Sequence, residues 1–494
     1  MLGPQVSNSE ISNHVGAITY NLLDEEWIPA LYRNGDWKRV GIRKALEDAD
    51  RIRQIAASNP MDRVAILRFL LAVLYWCKGN PPEQAEAIAL QSFPPDWFSK
   101  LDDNRDCFNL LGDGKRFYQD RTARRQRAAT DLLQEIPTGN NFWHFRHSTD
   151  KVNALCLPCC MLGLLRLPLF SVSGLAGRSK SDYLKAGING VPPVYVVPWG
   201  MSLLETLAAN WAPSEDLGDP SWVQPDVCPT PGEIVPLLTG LTLLSRRVWL
   251  DDPEPSGACV ACGAAGTPLI RTCEFQTAGK QENELWTDPH VIYSDTKPRR
   301  TSRAQDLTAA GKFRMDKPWP DLLARIIETG KLSCRGKPTS LLIVGFATDN
   351  AKNIDVWERT IEVPLDSTIR GASASLLARW QKEAFNLTRA TLPRNDKASK
   401  RKHAEIPPAL ASIRPHVESR VSAKLRELLA GGDTAWQEAA KEYGPMMDAI
   451  AQSLSPGFTT AAVQWRNQIA SAIPDMGPKT KTAQKQGRKK GGVK

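Results

Sequence analysis

Two short cysteine motifs carry the clearest chemistry in this sequence, and roughly a hundred residues separate them. Cys156 and Cys159 form one C-x-x-C pair, and Cys259 and Cys262 form the other. Such a pair lets two thiolates reach one tetrahedral ion from a tight turn, and two pairs provide the four soft ligands typical of structural zinc. We therefore predict a structural Zn²⁺ site that joins two distant parts of the fold. Four thiolates leave no coordination position for a catalytic water.

The two cysteine pairs differ in how strongly they indicate a metal. Gly257 and Gly263 flank the second pair, where a knuckle turn needs a permissive backbone. The first pair opens an apolar run over 160–165, so an alternative is that Cys156 and Cys159 simply pack at the start of a buried helix.

A second group of residues has the chemistry of a nucleic-acid contact. Four arginines crowd into seven residues, and they are Arg121, Arg124, Arg125 and Arg127. The segment 137–141 follows with strong loop-forming residues, including Asn140 and Asn141, and aromatic side chains come next. Positive charge suits phosphates, and planar groups suit bases. The alternative is a helix over 121–134 with a solvated arginine face.

Two further polar segments stand out later in the chain. An apolar strand is predicted over 340–344, and a polar loop is predicted to follow it over 345–353. A basic connection over 388–408 could grip a displaced strand or simply be solvated. Its basic residues include Arg394, Lys397, Lys400, Arg401 and Lys402.

Catalytic motifs are missing from the sequence. It contains no GxxxxGK[ST], no GxGxxG after a strand and no HExxH. His144 and His147 are a close pair, and His290 follows Asp288 and Pro289, which leaves a zinc-containing, metal-dependent nuclease as the alternative function. Since no nucleophile, base and orienting group come together, we predict a binding subunit and not an enzyme.

Charge is concentrated at one end of the chain. The 494 residues carry a net charge of +9, of which +7 comes from residues 477–494, so the remainder carries only +2. Any nucleic-acid surface on the body must therefore be a local patch. Ten cysteines over this length do not indicate a disulfide scaffold, and the N-terminus does not resemble a signal peptide. We expect a protein of a reducing cytoplasm with no membrane association.

The elements that would position these residues suggest an α+β fold. The apolar run 64–76 is interrupted by Arg68 and is too short to cross a bilayer, so it indicates a buried helix. The predicted organisation is a mixed α/β domain with the zinc site over 1–365, a four-helix bundle over 366–475 and a disordered basic tail over 476–494. Other predicted elements are a hairpin over 27–42, helices over 43–56, 61–77, 82–91 and 201–211, and a strand over 194–197.

Several of these motifs, in this order, resemble one known family: the large subunit, of CasA type, of the type I-E CRISPR surveillance complex Cascade. The resemblance extends over nearly the whole chain. It rests on Asn21-Leu22-Leu23 with Trp27-Ile28-Pro29, Phe117-Tyr118-Gln119, the segment 137–141, the two cysteine pairs, Leu285-Trp286 with Pro289-His290, and the closing helices.

The resemblance implies a non-catalytic role in antiviral defence. A CasA-type subunit recognises the short protospacer-adjacent motif in double-stranded DNA, largely from the minor groove, and promotes duplex opening and R-loop formation. The partners implied are the other Cascade subunits, the guide crRNA, the target duplex and a helicase-nuclease. The segment 121–141 corresponds to one that contacts the guide end of the complex.

The resemblance also implies the residues that contact DNA. The loop after the 340–344 strand corresponds to the family's motif-reading loop, which gives Gly345, Thr348, Asn350 and Lys352 as contacts, with Asn350 as the reading asparagine. A glutamine wedge found in some relatives falls at Ala351, so the wedge is absent or displaced. A family lysine falls near Thr277, and Lys280 is the nearest replacement.

Overall fold

The structure, a computed structural model, describes eleven stretches of the chain. They are residues 19–79, 84–133, 154–170, 193–212, 214–225, 232–244, 246–277, 285–291, 299–300, 339–349 and 352–363. The predicted four-helix bundle over 366–475 and the basic tail over 476–494 lie outside these residues, and both stay predictions.

Helices and short strands alternate through the described residues. The helices are α1 (Ile42–Glu47), α2 (Pro60–Lys78), α3 (Gln84–Ala89), α4 (Ser99–Asp103), α5 (Leu157–Phe170), α6 (Leu203–Ala209) and α7 (Leu237–Thr242), and 3₁₀ turns cover Pro95–Phe98, Arg105–Phe108 and Ala129–Leu132. The strands of the first half are β1 (Tyr20–Asn21), β2 (Ile28–Tyr32), β3 (Trp37–Val40), β4 (Ile52–Ile55), β5 (Asn109–Leu111), β6 (Arg125–Ala128), β7 (Leu155–Cys156) and β8 (Tyr195–Trp199). Those of the second half are β9 (Arg246–Leu250), β10 (Glu254–Ala258), β11 (Ala265–Ile270), β12 (Thr272–Thr277), β13 (Leu285–Trp286), β14 (Arg299–Arg300), β15 (Thr339–Asp349) and β16 (Lys352–Val363).

The strands form several small sheets instead of one large one. Among the described residues they make four three-stranded sheets, in the orders β3-β2-β4, β10-β11-β7, β6-β12-β9 and β16-β15-β8, and two pairs, β1-β5 and β13-β14. All of these pairings are antiparallel. This arrangement confirms the mixed α/β body predicted from the sequence.

Helix α2 lies at the centre of the body, as the apolar run predicted. The Asn59 side chain accepts a hydrogen bond from the Met61 amide at 2.9 Å, Pro60 occupies the first turn, and Gly79 ends the helix with φ of 76°. Nearly every residue between these ends is buried, so α2 packs on all sides. No helix within the described residues is long and apolar enough to span a membrane.

The N-terminal hairpin is confirmed, but the helix predicted after it is too long. Strands β2 and β3 pair antiparallel around a turn at Gly35, whose φ is 93°. The predicted helix over 43–56 ends at Glu47, and β4 pairs with β2. Asp48 explains the break, because its carbonyl accepts the Arg51 and Ile52 amides and its carboxylate accepts the Tyr32 hydroxyl.

An aromatic cluster fills the space beside α2. Phe69 on α2 meets the rings of Phe117 and Trp222 edge-on, at centroid distances of 5.5 and 5.8 Å. Phe108 and Phe117 stack at 5.8 Å, and Trp27 closes the cluster from the N-terminal hairpin. Such contacts add to the burial of large apolar surfaces, so this cluster fixes α2 against both the hairpin and the 3₁₀ segments.

Candidate functional site

The four predicted zinc ligands come together in space. Each pair among the sulfur atoms of Cys156, Cys159, Cys259 and Cys262 lies within 4.8 Å, and the Cys156 and Cys262 Sγ atoms are 3.6 Å apart. Zinc–sulfur bonds of about 2.3 Å place the corners of a tetrahedron about 3.8 Å apart. The cluster therefore has the donor set and the spacing that Zn²⁺ requires.

Local backbone structure brings the two motifs together. Cys156 ends β7, and its motif continues into the first turn of α5. The second motif occupies the turn between β10 and β11, where the Cys259 amide donates to the Ala264 carbonyl and Gly263 adopts a φ of 73°. Strand β11 pairs with β7 so that Leu269 lies opposite Cys156. The cluster thus joins chain segments that are about a hundred residues apart, as predicted.

Hydrogen bonds among the thiols of the cluster shift their pKa values. Hydrogen bonds from Cys156 and Cys159 hold the pKa of the Cys259 thiol far below its ordinary value, whereas hydrogen bonds with Cys156 and Cys259 raise the pKa of Cys159. Cys160 is next in sequence but is not a ligand, because its buried thiol faces the Leu155 carbonyl at 3.9 Å. A zinc ion held here would have four sulfur ligands and no open position, which is the chemistry of a structural site.

The polar loop predicted over 345–353 is wrong. Strand β15 continues to Asp349, and β16 begins at Lys352. Thr348 pairs with Asn353, and Asp349 pairs with Lys352, so the two strands form one long hairpin. Polarity alone does not separate a loop from the end of a strand, because pairing with a neighbouring strand can override local preference.

The proposed DNA contacts therefore fall at different places along this hairpin. Gly345 is buried in the strand, opposite Trp357, and Thr348 lies in the strand near its end. Asn350 and Ala351 are the only residues between Asp349 and Lys352 in the sequence, and they lie outside the described residues, as does Lys280. The structure thus places Lys352 at the end of the ribbon and Gly345 well inside it.

The arginine-rich segment does not form the alternative helix over 121–134. Residues 125–128 form β6, the edge strand of the β6-β12-β9 sheet, and a 3₁₀ turn follows. Arg121, Arg124 and Arg125 are exposed, whereas Arg127 is half-buried and lies 3.8 Å from Asp131. The Arg121 guanidinium lies over the Trp249 ring at 4.8 Å. Arg125 lies in a different sheet from the β15–β16 hairpin, and Arg121 and Arg124 lie just before β6.

Several predicted residues lie outside the described part of the chain. They are Asn140, Asn141, His144 and His147, together with the basic connection residues Arg394, Lys397, Lys400, Arg401 and Lys402.

The histidine that suggested a nuclease is part of the core. His290 is 3% exposed, and its Nδ1 lies 2.8 Å from Nη1 of Arg68, which also donates to Asp288 at 2.6 Å. Burial alone would raise the pKa of Asp288, but the neighbouring Arg68 and His290 lower it to about 2. A residue enclosed in this way cannot reach a DNA phosphate, so the nuclease hypothesis is wrong for His290.

Two structural roles were missed at the level of the sequence. Arg68, noted only as an interruption of an apolar run, binds the Asp288 carboxylate inside the core. Arg63, five residues earlier on α2, binds Glu358 on β16. An arginine within an otherwise apolar helix was the available signal, because a buried charge requires a partner. The sequence could not identify the partner of either arginine, since each partner lies more than two hundred residues away.

Comparisons with known proteins agree with this fold. The family model for the CRISPR-associated protein Cse1 matches residues 21–475. The CRISPR-associated protein CasA/Cse1 of Thermus thermophilus is 31% identical over 238 residues, which are 47% of this chain and 45% of that protein. The alignment therefore spans less than half of this relative.

Solved structures of Cse1 proteins share the fold. The crystal structure of CasA from Thermus thermophilus superposes with a TM-score of 0.66 at 19% identity, covering 92% of this chain and 99% of that one. Cse1 of Acidimicrobium ferrooxidans gives 0.64 at 18% identity over 93% and 99%. A chain of a CRISPR RNA-guided surveillance complex gives 0.60 at 16% identity over 92% and 99%. Because the family match covers most of its length, the chain belongs to the CRISPR-associated Cse1 (CasA) family, as its motifs predicted.

Proposed function

We propose that this chain is the non-catalytic large subunit of a type I-E RNA-guided surveillance complex, Cascade. In this role it assembles with the other Cascade subunits and the guide crRNA in a prokaryotic cytoplasm. It recognises the protospacer-adjacent motif in double-stranded DNA, promotes duplex opening and helps to recruit a helicase-nuclease for antiviral defence. Membership of the Cse1 family supports the assembly, and the likeness to a chain of a surveillance complex is consistent with it.

The observation that carries the DNA-reading part is the β15–β16 hairpin. Its strands stay paired as far as Asp349 and Lys352, with only Asn350 and Ala351 between them in sequence. A narrow ribbon with an amide and an ammonium group at its end suits the minor groove, which offers few acceptors and mainly separates A·T from G·C pairs. Low specificity is sufficient, because pairing with the guide reads the remaining sequence, a division described for another RNA-guided effector.

The strand assignment narrows the contacts that we propose. Asn350 and Lys352 are the principal contacts, with Thr348 beside them near the end of the ribbon. Gly345 is buried, so we remove it from the set. Lys280 stays a candidate second contact, and Ala351 leaves this chain without a glutamine wedge at that position.

The exposed arginines and the cysteine cluster take separate roles in this proposal. Arg121, Arg124 and Arg125 offer positive charge to the guide crRNA, and Asn140 and Asn141 continue the same segment. The cysteine cluster holds one structural Zn²⁺. The basic connection over 388–408 contacts a displaced DNA strand, an assignment that rests on charge alone.

The test compares two DNA targets bound by the assembled complex. Asn350→Ala and Lys352→Ala are expected to weaken binding to a fully paired, motif-bearing duplex by about tenfold each, since a lost specific contact costs about 1–3 kcal/mol. Binding to a target that is already opened should change by less than about twofold.

The N-terminal hairpin provides matched controls. Asn34→Ala and Lys38→Ala change the same residue types at exposed positions of the β2–β3 hairpin and should leave binding to both targets unaffected. Equal losses on the paired and opened targets would contradict motif reading and would indicate a subunit that only supports assembly.

A further inference from the structure

One ion pair joins α2 to the β15–β16 hairpin across 295 residues of sequence. The Arg63 guanidinium donates to the Glu358 carboxylate at both ends, with Nη1–Oε1 of 2.6 Å and Nη2–Oε2 of 2.8 Å. Both side chains are mostly buried, at 21% and 29% exposure. A bidentate pair of this kind fixes orientation as well as distance, because two parallel hydrogen bonds resist rotation.

The ion pair lies where the hairpin leaves its sheet. Strand β8 supports β15 from Ser340 to Val344, and Glu358 lies opposite Val344 in the β15–β16 register. Beyond that position the described hairpin has only two strands. An isolated two-stranded ribbon is marginally stable, so its direction depends on how its base is held.

The free part of the ribbon is long enough for small changes at its base to matter. Lys352 lies six positions before Glu358, which corresponds to about 20 Å of extended strand. A rotation at the level of Glu358 would therefore displace the end of the ribbon by several times the displacement at the base. The Arg63–Glu358 ion pair holds the ribbon to α2 at this level.

Helix α2 is also linked to β8, the strand at the opposite edge of the same sheet, so the helix provides a rigid support for both edge strands. Arg68 binds Asp288 and His290, and the His290 carbonyl accepts the Val196 amide of β8 at 2.8 Å. The helix itself is almost completely buried and is capped at both ends. Both flanking strands of the β16-β15-β8 sheet are thus tied to one rigid element.

We infer that Arg63 and Glu358 are positioning residues that aim the end of the β15–β16 ribbon at duplex DNA. Neither residue contacts DNA in this account. The inference rests on the proposed function, since it assigns a direction to the ribbon that we propose to read the motif. Loss of the pair leaves the reading groups intact but reduces the fraction of complexes in which they are correctly placed.

The experiment uses the assembled complex and measures dissociation constants for motif-bearing duplex, motif-free duplex and a pre-opened target. Arg63→Met is expected to weaken binding to the motif-bearing duplex by about tenfold and to reduce discrimination against the motif-free duplex, while the pre-opened target changes by less than about twofold. Glu358→Gln keeps the shape of the side chain and should show the same pattern if Arg63→Met fails to assemble.

Two further variants separate positioning from a general loss of structure. Arg63→Glu combined with Glu358→Arg restores the pair with exchanged charges and should recover most of the duplex binding. Arg105→Met removes another ion pair between distant segments, with Asp24, and should change nothing. Three results would each overturn the inference. Arg63→Met and Glu358→Gln could both leave duplex binding unchanged, or they could weaken binding to all three targets equally. The double variant with exchanged charges could also fail to recover duplex binding.

The outcome can be distinguished from failure of the proposed function by measuring Asn350→Ala in parallel. If Asn350→Ala weakens duplex binding and Arg63→Met does not, the hairpin reads DNA without the ion pair, and only this inference is wrong. If neither variant weakens duplex binding, the proposed reading of DNA by the hairpin is itself wrong, and the positioning role is wrong with it.

Discussion

The cysteine cluster and the β15–β16 hairpin are built in opposite ways. Three of the four cluster cysteines are buried, and their chain segments pair with each other through β7 and β11. The hairpin is anchored at its base, but beyond Val344 it has no third strand among the described residues. The groups able to bind a metal thus lie where two chain segments pair, whereas the strands that lead to the proposed DNA contacts extend past the three-stranded part of their sheet.

The largest effect, on both metal binding and stability, is expected at the cysteine cluster. Cys259→Ser should abolish binding of one Zn²⁺ per chain and lower the free energy of unfolding by more than about 4 kcal/mol, because metal binding to such a site contributes directly to folding. Metal content and urea unfolding would check this. Cys107→Ser is the matched control, since Cys107 is partly buried and outside the cluster. Full metal content in the Cys259→Ser protein would show that these cysteines do not hold the ion.

The second-largest effect is expected at the buried ion pair between Arg68 and Asp288. Arg68→Met should lower the free energy of unfolding by about 3 kcal/mol, because it leaves the Asp288 carboxylate charged and without its guanidinium inside the core. Arg68→Met with Asp288→Asn should be less destabilised than Arg68→Met alone, as measured by urea unfolding. A double variant that is as unstable as the sum of the singles would contradict the coupling.

Acid should reduce the contribution of the Arg68–Asp288 ion pair to the free energy of unfolding between about pH 4 and pH 2. The folded pKa of Asp288 is lowered to about 2 from an ordinary value of 3.8, so its contribution of about 2 kcal/mol is fully present above about pH 4 and is lost as the pH falls through about 2. The stability difference between the wild type and Asp288→Asn should therefore narrow between pH 4 and pH 2. A difference that is independent of pH would argue against this assignment.

The smallest effect on stability is expected at the end of the hairpin. Asn350→Ala should change the free energy of unfolding by less than about 0.5 kcal/mol, because a residue proposed to meet DNA is not expected to support the core, although the substitution weakens duplex binding. Thermal unfolding of the isolated chain checks the first quantity. A large loss of stability would mean that Asn350 has a structural role, and the contrast between the two regions would fail.

Local sequence patterns predicted much of this fold. The apolar run over 64–76 predicted the buried helix α2, and the N-terminal hairpin was predicted over 27–42. The two C-x-x-C pairs predicted a cluster whose geometry fits a metal. These features depend on neighbouring residues, so a single sequence is sufficient to find them.

Contacts between distant segments were not predictable in the same way. The strand β4 replaced the end of a predicted helix because its isoleucines pair with β2, and β15 extended through polar residues because β16 was available to pair with it. The partners of Arg63 and Arg68 lie 295 and 220 residues away. Strand pairing overrides local propensity in the first two cases, and nothing in the local sequence identifies the partners of the two arginines.

The central claim is that the end of the β15–β16 hairpin meets the motif in the target duplex. The most direct measurement is photo-crosslinking from a benzophenone side chain at position 350 in the assembled complex, with the crosslinked bases then mapped. This account predicts crosslinks at the motif base pairs, and few from the same side chain at position 38 in the N-terminal hairpin. Crosslinks from position 350 that are absent, or that are no more frequent at the motif than elsewhere on the duplex, would contradict it.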